Sequence, residues 1–254
     1  TELTATGWYY GNKVYSADTS FTWSVSDALG TIDEDGTFTA VQTGRDVTGT
    51  LTVTYGETSC TLPVTVGSSQ PFDDTKGHWA ESYITELYYA GTLQGSEKNG
   101  KLYYRPDASM TRQEFIVAMM RYLGTDLSAY ASVQLPFDDS GSIASWAKSA
   151  MQAAYQLGYL TGSKTNGKLL AKPGSTISRQ EAMTILSRTK DFADADLNVL
   201  SAFSDSGKIA DWARTALAQM TQQKIISGSK GKLNPTGKVT RAEVAKMLYM
   251  LSET

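Results

Sequence analysis

The chain of 254 residues contains a single cysteine and a single histidine. One cysteine excludes a disulfide framework and any metal cluster built on cysteines. Cys60 stands in an alternating TSCTLPV stretch, so we expect it to be a buried apolar residue. His78 stands beside Trp79, and we expect it to be structural or to form part of a groove wall.

The chain also lacks an excess of charge of one sign. It has 23 basic and 26 acidic residues, which gives a formal net charge of −3. This balance gives no electrostatic reason to expect a nucleic-acid partner. No run of about 18 apolar residues occurs, so we predict no membrane insertion. The chain begins with Thr1 and shows no leader peptide, and we expect it to be the C-terminal fragment of a longer protein.

Catalytic signatures are missing as well. The sequence has no His-Glu-x-x-His, no nucleophile elbow and no phosphate-binding loop. Paired carboxylates at 73–74 and 138–139 are compatible with glycoside hydrolysis, which uses two carboxylates. The equivalent pair in a third copy is Ser204-Asp205, which favours turn formation instead. We therefore predict a chain that is not an enzyme and has no cofactor or metal, although a catalytic domain upstream is compatible with it.

The first quarter of the chain has a two-residue period. Stretches such as FTWSVS and TGTLTVTY alternate apolar and hydroxyl residues, and turn signals separate them. A hairpin candidate, YYGNKVY, precedes them at 9–15. DEDG at 33–36 has a superficial likeness to a calcium loop but lacks the remaining ligand positions, so we predict a hairpin turn. These patterns predict an all-β sandwich over 1–66 and a short linker at 67–70.

Part of this region resembles the bacterial Ig-like group 2 domains. The resemblance covers about residues 20–66, and it is carried by WSVSD, then IDEDGTFTAV, then a GTLTVT strand. It implies an Ig-like sandwich that serves as a spacer or an adhesive module and not as an enzyme.

The rest of the chain repeats itself three times. Each copy has a Phe-x-Asp, a tryptophan, a Gly-Ser sixteen residues after the tryptophan, a proline, and an arginine six residues after the proline. Only the interval from glycine to proline varies, being eleven residues in the first two copies and seven in the third. The repeated aspartate, tryptophan, glycine, serine and arginine are Asp74, Trp79, Gly95, Ser96 and Arg112; Asp139, Trp146, Gly162, Ser163 and Arg179; and Asp205, Trp212, Gly228, Ser229 and Arg241.

Each copy predicts a helix–loop–helix unit. One helix starts near the tryptophan and another follows the arginine, because apolar residues recur on one face of each. Gly91 and Gly158 stand where the first helix needs a left-handed C-cap, whereas the third copy has Lys224. A two-helix unit cannot bury its apolar face alone, so we expect three units packed about a common axis in a monomer with internal pseudo-threefold symmetry. The predicted units are 71–134, 135–201 and 202–254.

The arginine stands inside a recurring helix-start motif. The three copies read MTRQEF at 110–115, ISRQEA at 177–182 and VTRAEV at 239–244. The hydroxyl residue and the glutamate fit a capping box, which is worth about 1 kcal/mol. Capping does not need the arginine, which faces the positive end of the helix dipole and should therefore have a compensating partner. Either an aspartate of the Phe-x-Asp motif is that partner, or the arginine and free helix amides form an anion site.

The other repeated residues also admit two interpretations. A tryptophan at a helix start can belong to the core, or it can offer its ring face to a sugar. Gly-Ser can be an ordinary turn, or it can let the backbone approach a ligand closely. Together, the aromatic ring, the carboxylate, the accessible turn and the arginine are the set expected for binding an acidic sugar.

In this order, Phe-x-Asp, Trp-Ala, Gly-Ser, Pro and Thr/Ser-Arg-x-Glu resemble S-layer homology (SLH) domains over about residues 71–251. The resemblance implies a module on the outside of a bacterial cell that anchors a surface protein non-covalently to secondary cell-wall polysaccharide. The ligand would be a pyruvylated N-acetylmannosamine in grooves between neighbouring units. Arginine would pair bidentately with the ketal carboxylate, tryptophan would pack on the sugar, and aspartate and serine would bond its hydroxyl or N-acetyl groups. The fifteen repeated residues named above are carried over as the site.

The predicted fold class is thus an N-terminal all-β Ig-like sandwich followed by a mostly α, pseudo-threefold SLH trimer. The third copy has TRAE, a shorter loop and Lys224, so its groove is expected to bind differently or not at all. Two other functions stay open: a protein-assembly module of a surface lattice without glycan binding, and an accessory domain of an upstream glycan-active enzyme.

Overall fold

The structure is a computed structural model, and it describes residues 8–9, 12–13 and 21–254. The chain divides into two compact units, Thr1–Pro71 and Phe72–Thr254.

The described part of the N-terminal unit consists of short antiparallel ladders. A three-stranded sheet has the order β3 (Thr22–Val25), β6 (Val47–Tyr55), β7 (Thr58–Val66), and two further pairs join β1 (Trp8–Tyr9) to β2 (Asn12–Lys13) and β4 (Gly30–Ile32) to β5 (Phe38–Ala40). The β1–β2 pair places Tyr9 opposite Asn12, as predicted for the hairpin at 9–15. The remainder of residues 1–20 lies outside the described residues.

The predicted Ig-like sandwich is wrong. A sandwich needs two sheets packed face to face around a shared apolar core. Residues 21–66 instead form one three-stranded sheet and a separate two-stranded pair, and Leu29 and Leu51 are the buried apolar side chains among them. The alternating pattern specified strands correctly, but hydroxyl residues fill too many of its positions for a two-layer core.

Two smaller predictions in this unit have opposite outcomes. Cys60 was expected to be buried, but it lies in β7 opposite Val53 and is exposed. The predicted hairpin turn at DEDG is confirmed, since β4 pairs with β5 and Asp33 Oδ1 accepts a hydrogen bond from the amide of Thr37 at 2.7 Å. The predicted linker at 67–70 is tied back to its own unit, because the amide of Ser68 donates to Asp46.

The C-terminal unit contains three helix–loop–helix copies, as predicted. The apolar faces of its helices meet in one continuous core. The first helix of each copy is α1 (Glu81–Tyr89), α3 (Lys148–Gln156) or α5 (Asp211–Gln222), and the second is α2 (Arg112–Tyr122), α4 (Arg179–Ser187) or α6 (Arg241–Ser252). Hairpins β8 (Ser96–Lys98) to β9 (Lys101–Tyr103) and β10 (Ser163–Thr165) to β11 (Lys168–Leu170) follow the Gly-Ser turns of the first two copies. Short 3-10 turns of this unit cover Leu127–Tyr130, Ser140–Ser142, Ser145–Ala147, Leu197–Ala202 and Ser206–Lys208. One further 3-10 turn, Asp27–Leu29, lies in the N-terminal unit.

A ring of backbone hydrogen bonds joins the three copies. The amide of Met110 donates to the carbonyl oxygen of Val239 at 3.1 Å, Val239 donates to Ile177 at 3.0 Å, and Ile177 donates back to Met110 at 3.0 Å. These residues each precede a motif arginine by two positions and are buried. Each copy therefore contacts both others at the point where its second helix begins.

The helix ends follow the local signals. The Thr111, Ser178 and Thr240 capping boxes are all complete, with the hydroxyl accepting from the third helical amide and the glutamate accepting from the cap. The third copy keeps the left-handed turn despite its lysine, because Lys224 has φ +57°, close to the +78° of Gly158.

Among the described residues, no helix is both long enough and apolar enough to cross a membrane.

Candidate functional site

Each motif arginine is held by the next copy around the ring. The Nε of Arg112 donates to the carbonyl oxygen of Ala171 at 2.9 Å, and its Nη1 donates to Glu181 Oε1 at 2.8 Å. Only 11% of the Arg112 side chain is exposed, so the guanidinium is largely withdrawn from water. Arg179 repeats the ion pair one copy later, with Glu243 at 2.7 Å.

The compensating partner of the arginine is therefore the capping glutamate of the next copy. Glu181 uses Oε2 to accept from the amide and hydroxyl of Ser178, and this leaves Oε1 for Arg112. The predicted alternative of an aspartate partner is wrong. The negative charge of Glu181 also offsets the unfavourable interaction between the Arg112 guanidinium and the positive end of the helix dipole.

The other alternative combined the arginine with free helix amides in an anion site, and its amide part is wrong because those amides are not free. At the start of α2 the amide of Arg112 donates to Ser175 at 2.9 Å, and the amide of Gln113 donates to Pro173 at 3.0 Å. The third amide, that of Glu114, donates to the capping hydroxyl at 3.3 Å. Because the neighbouring copy takes up two of these donors and the helix cap takes up the third, none of these amides remains free for an anion.

The three Phe-x-Asp carboxylates fasten the loop that leads to the second helix. In the second copy, Asp139 accepts from the amides of Ala171 and Lys172 at 2.8 and 2.7 Å. Asp74 and Asp205 make the same pair of contacts in their own copies. For Asp205, burial by itself would raise the pKa of the carboxyl, but the hydrogen bonds from the Leu233 and Asn234 amides outweigh burial and hold that pKa below its ordinary value.

The glycine of each Gly-Ser pair lies against the phenylalanine of Phe-x-Asp. A Cβ added at Gly162 would lie 2.6 Å from Phe137 Cε1, and one at Gly228 would lie 2.8 Å from Phe203 Cε1. Both glycines also have left-handed φ values, +72° and +67°. Packing on the buried ring therefore requires glycine here, independently of any ligand, whereas the serine that follows is exposed in every copy.

The three repeated tryptophans are on the surface. Trp79, Trp146 and Trp212 are 55%, 58% and 58% exposed. The interpretation of these residues as core is therefore wrong. A large aromatic ring left more than half in water by a compact domain is available to pack on a ligand.

Two cavities collect these groups from three copies each. Groove 1 has a volume of about 350 Å³ and combines the arginine of the first copy, the Gly-Ser turn and capping glutamate of the second, and the tryptophan of the third. Its defining residues are Arg112, Gly162, Ser163, Glu181, Arg188 and Trp212. Groove 2 has a volume of about 700 Å³ and is shifted by one copy. Its defining residues are Arg179, Gly228, Ser229, Glu243, Lys246 and Trp79.

The third arginine has a different environment. Arg241 donates through Nε to Tyr104 at 2.7 Å and through Nη2 to Gln94 at 2.9 Å, while its Nη1 lies 3.9 Å from Glu114 Oε1. Its guanidinium carbon stands 4.5 Å over the centre of the Tyr104 ring. Arg241, Gly95, Ser96 and Trp146 line neither groove 1 nor groove 2, and neither do the three aspartates.

The three arginines differ in which guanidinium nitrogens are engaged. In the part of the chain that the structure describes, Arg112 and Arg179 bond through Nε and Nη1, whereas Arg241 bonds through Nε and Nη2 and its Nη1 lies 3.9 Å from Glu114 Oε1. Arg112 lines groove 1, Arg179 lines groove 2, and each retains N–H groups, those of Nη2, without an acceptor among the described residues.

Sequence reasoning missed several groove residues. Glu181 and Glu243 were assigned to capping alone, and Arg188 and Lys246 were not singled out. The fixed motif spacing could have suggested the glutamates, because in a closed ring of copies each helix start adjoins the next one. Nothing in a single copy signals the two basic residues.

His78 has a structural contact, as predicted. Its Nδ1 accepts from the amide of Ala80 at 3.1 Å, just before α1 begins. The paired carboxylates also serve the local fold, since Asp138 accepts from the amide of Leu169 beside the contacts of Asp139.

Comparison with known proteins agrees with this architecture. The model of the S-layer homology domain matches residues 71–116, 136–183 and 202–245, together more than half of the chain. Over 80% of its length the chain is 28% identical to an amylopullulanase of Thermoanaerobacterium thermosulfurigenes, and over 92% it is 28% identical to the exoglucanase XynX of Acetivibrio thermocellus. Over 71% it is 32% identical to a surface-layer 125 kDa protein of Lysinibacillus sphaericus. The chain spans only 10%, 21% and 15% of the lengths of these relatives. On the family match and the three-copy ring, the chain belongs to the S-layer homology family.

Proposed function

We propose that this chain is a non-covalent cell-wall anchoring module that binds an acidic glycan of the bacterial wall in grooves 1 and 2. The observation that carries the proposal is the meeting, in each groove, of an exposed tryptophan, an incompletely paired arginine and a serine-bearing turn from three different copies. These groups are far apart in sequence and come together only in the closed ring.

The charge of the groove favours an acid over a neutral sugar. Arg112 lines groove 1 and its Nη2 has no acceptor among the described residues, so a carboxylate bound there would gain a charge-assisted hydrogen bond. A pyruvylated N-acetylmannosamine supplies such a carboxylate together with ring faces for Trp212. Two of the five N–H donors of Arg112, one on Nε and one on Nη1, are already engaged, so the ligand contact uses the remaining donors, those of Nη2 in particular.

The aspartates have a different role in this proposal. Asp74, Asp139 and Asp205 each give both oxygens to backbone amides, so they set the position of the loop behind the groove and do not bond sugar hydroxyls. Ser163 and Ser229 remain proposed contacts to the sugar, since both are exposed and line the grooves.

The cargo of the anchor lies outside the chain. Two of the relatives are named as an amylopullulanase and an exoglucanase, and a third as a surface-layer protein, and this chain matches a small part of each. We propose that the chain attaches a longer protein to the outer wall surface and performs no catalysis itself.

The test uses the exposed tryptophans. The Trp79→Ala/Trp212→Ala double variant removes one ring from each groove, while Trp146→Ala removes an equally exposed ring outside both. With purified wall polysaccharide, we expect the double variant to lose at least about tenfold in affinity and Trp146→Ala to bind like the parent. Binding by the parent should also fall when the pyruvate ketals are removed.

Unchanged binding after removal of the ketals would exclude the carboxylate as the recognised group. Unchanged binding by the double variant would show that grooves 1 and 2 are not the site, and a protein-assembly role would then be the better explanation. Far-UV circular dichroism of each variant verifies that the helices are retained.

A further inference from the structure

Grooves 1 and 2 carry very different charge although they are built from the same motif. Groove 2 is lined by four basic side chains, Arg179, Lys230, Lys232 and Lys246, and by one carboxylate, Glu243. Groove 1 is lined by two basic side chains and one carboxylate. The volume of groove 2 is also about twice that of groove 1, about 700 against 350 Å³.

The shorter loop of the third copy produces part of this difference. In the second copy the Gly-Ser turn continues into the β10–β11 hairpin. In the third copy the chain closes at once, with the amide of Ser229 donating to Lys232 at 2.8 Å and that of Lys232 donating back at 3.0 Å. The tight turn places Lys230 and Lys232 on the groove wall.

A lysine in α6 produces the rest of the charge difference between the two grooves. Lys246 stands five positions after Arg241 in α6 and lines groove 2, and Thr184 stands at the same position after Arg179 in α4 and lines groove 1. A lysine in one groove thus takes the place of a threonine in the other.

The lysines of groove 2 are available for a ligand. Within residues 21–254, no ion pair involves Lys230, Lys232 or Lys246. Lys232 lies near Asp205, but that carboxylate is bonded to two backbone amides. In groove 1 the one cation beyond the motif arginine is Arg188, whose Nη1 donates to the carbonyl oxygen of Tyr159 at 2.8 Å, so groove 1 has a single additional positive charge where groove 2 has three.

We propose that groove 2 binds a longer glycan segment bearing at least two negative charges, whereas groove 1 binds a single singly charged sugar. This inference rests on the proposed function and adds a division of labour between the two grooves. The first charge meets the Nη2 of Arg179, and the second meets the lysine cluster, defined as Lys230, Lys232 and Lys246.

The experiment isolates each groove in the whole chain. Trp212→Ala removes the tryptophan of groove 1, so this variant reports on groove 2. Trp79→Ala removes the tryptophan of groove 2, so this variant reports on groove 1. Each variant is titrated calorimetrically with pyruvylated N-acetylmannosamine and with a two-residue wall fragment carrying two negative charges. Titrations are made at about 0.05 and about 0.5 M NaCl, because salt screens exposed charges over a few ångströms at the higher value.

Groove 2 should prefer the doubly charged fragment by at least about tenfold at low salt and by less than about threefold at high salt. Groove 1 should show less than about threefold preference under both conditions. Lys246→Thr in the groove 2 background should lower the preference, and Thr184→Lys in the groove 1 background should raise it.

Equal preferences and equal salt dependence in the two grooves would overturn the division of labour while leaving the anchoring function standing. Failure of both probes to bind either groove would overturn the anchoring function itself, and the inference with it.

Discussion

Replacing Arg112 by alanine should destabilise the C-terminal unit as well as weaken glycan binding. The substitution removes a hydrogen bond to the buried carbonyl of Ala171 and the ion pair to Glu181. It also leaves Glu181 Oε1 without its partner in a site where 35% of that side chain is exposed. Motif arginines are therefore structural residues first.

The magnitude follows from these two contacts. A hydrogen bond to a charged group is worth about 1.5–3 kcal/mol, and partial exposure of the glutamate lets water replace some of the lost contact. We expect the free energy of unfolding to fall by about 2–3 kcal/mol, which lowers the melting temperature by about 5–10 °C in a unit of this size. Guanidinium titration followed by the helix signal reports on this unit, since the α-helices of the described residues all lie within Phe72–Thr254.

A double-mutant cycle isolates the ion pair. Glu181→Gln is the matched partner, because glutamine also completes a capping box. The cycle with Arg112→Ala should give a coupling of about 1–2 kcal/mol. Arg121→Ala serves as the control, since Arg121 is exposed in the last turn of the same helix and should change stability by less than about 0.5 kcal/mol. If Arg112→Ala is as mild as that control, the ring of ion pairs does not stabilise the fold and the reasoning fails.

Three further substitutions test the local geometry. Gly162→Ala should cost about 2–3 kcal/mol because its Cβ meets Phe137 and its φ is +72°, whereas Gly174→Ala, which has open space, should be close to neutral in the same denaturation assay. Asp205→Asn should lower the free energy of unfolding near neutral pH. Since the folded pKa of Asp205 lies below its unfolded value, its stabilisation is present above about pH 4 and is lost as the pH falls, so the variant should show a shallower acid limb in stability against pH. Lys224→Gly should stabilise the unit by about 0.5–1 kcal/mol by relieving a left-handed lysine at φ +57°, and a lower melting temperature would contradict this.

The helices and their ends could be predicted because their causes are local. Each capping box spans four residues, and each apolar face follows from the 3.6-residue period. The cyclic contacts could not be predicted in detail, because Arg112 and Glu181 are 69 residues apart. The spacing inside one copy places an arginine and a glutamate at each helix start, but only the closed ring brings the arginine of one copy to the glutamate of the next.

The second position of the motif illustrates the same limit. In TRQE, the side-chain oxygen of Gln113 accepts from the amide of Ala144 at 3.0 Å. In TRAE the third copy lacks this contact, and the equivalent amide, that of Gly77, donates to Glu81 at 2.8 Å instead. The departure at Ala242 therefore reflects a backbone amide satisfied elsewhere in the fold, and it says little about ligand binding.

The departures of the third copy, TRAE, the shorter loop and Lys224, were predicted to belong to a single groove. Its short loop and Lys246 line groove 2, whereas Arg241 belongs to the arrangement around Tyr104. A groove takes its parts from three copies, so each copy contributes to all three inter-copy arrangements. Differences between copies must be read across the ring and not along the chain.

The N-terminal prediction failed for a different physical reason. Alternation of apolar and polar residues reports that a strand has two unlike faces, but not what covers the apolar face. In β7 even Leu62 is 53% exposed. The two-residue period therefore predicts a strand here, but it does not predict that a second sheet covers that strand.

The structural contacts of the arginine are compatible with the binding role that we propose for it. A free arginine on a surface loses side-chain entropy when it binds a carboxylate, which weakens the net contact. Arg112 and Arg179 lose that freedom when the domain folds, because Nε and Nη1 are fixed by the next copy. Under the proposed function, the remaining N–H groups of the guanidinium then meet the ligand with little further ordering. Under that function, the same contacts that close the ring of copies thus also prepare the groove. Arg241 is held differently, through Nε and Nη2 by the carbonyl oxygens of Tyr104 and Gln94, while its Nη1 lies 3.9 Å from Glu114 Oε1.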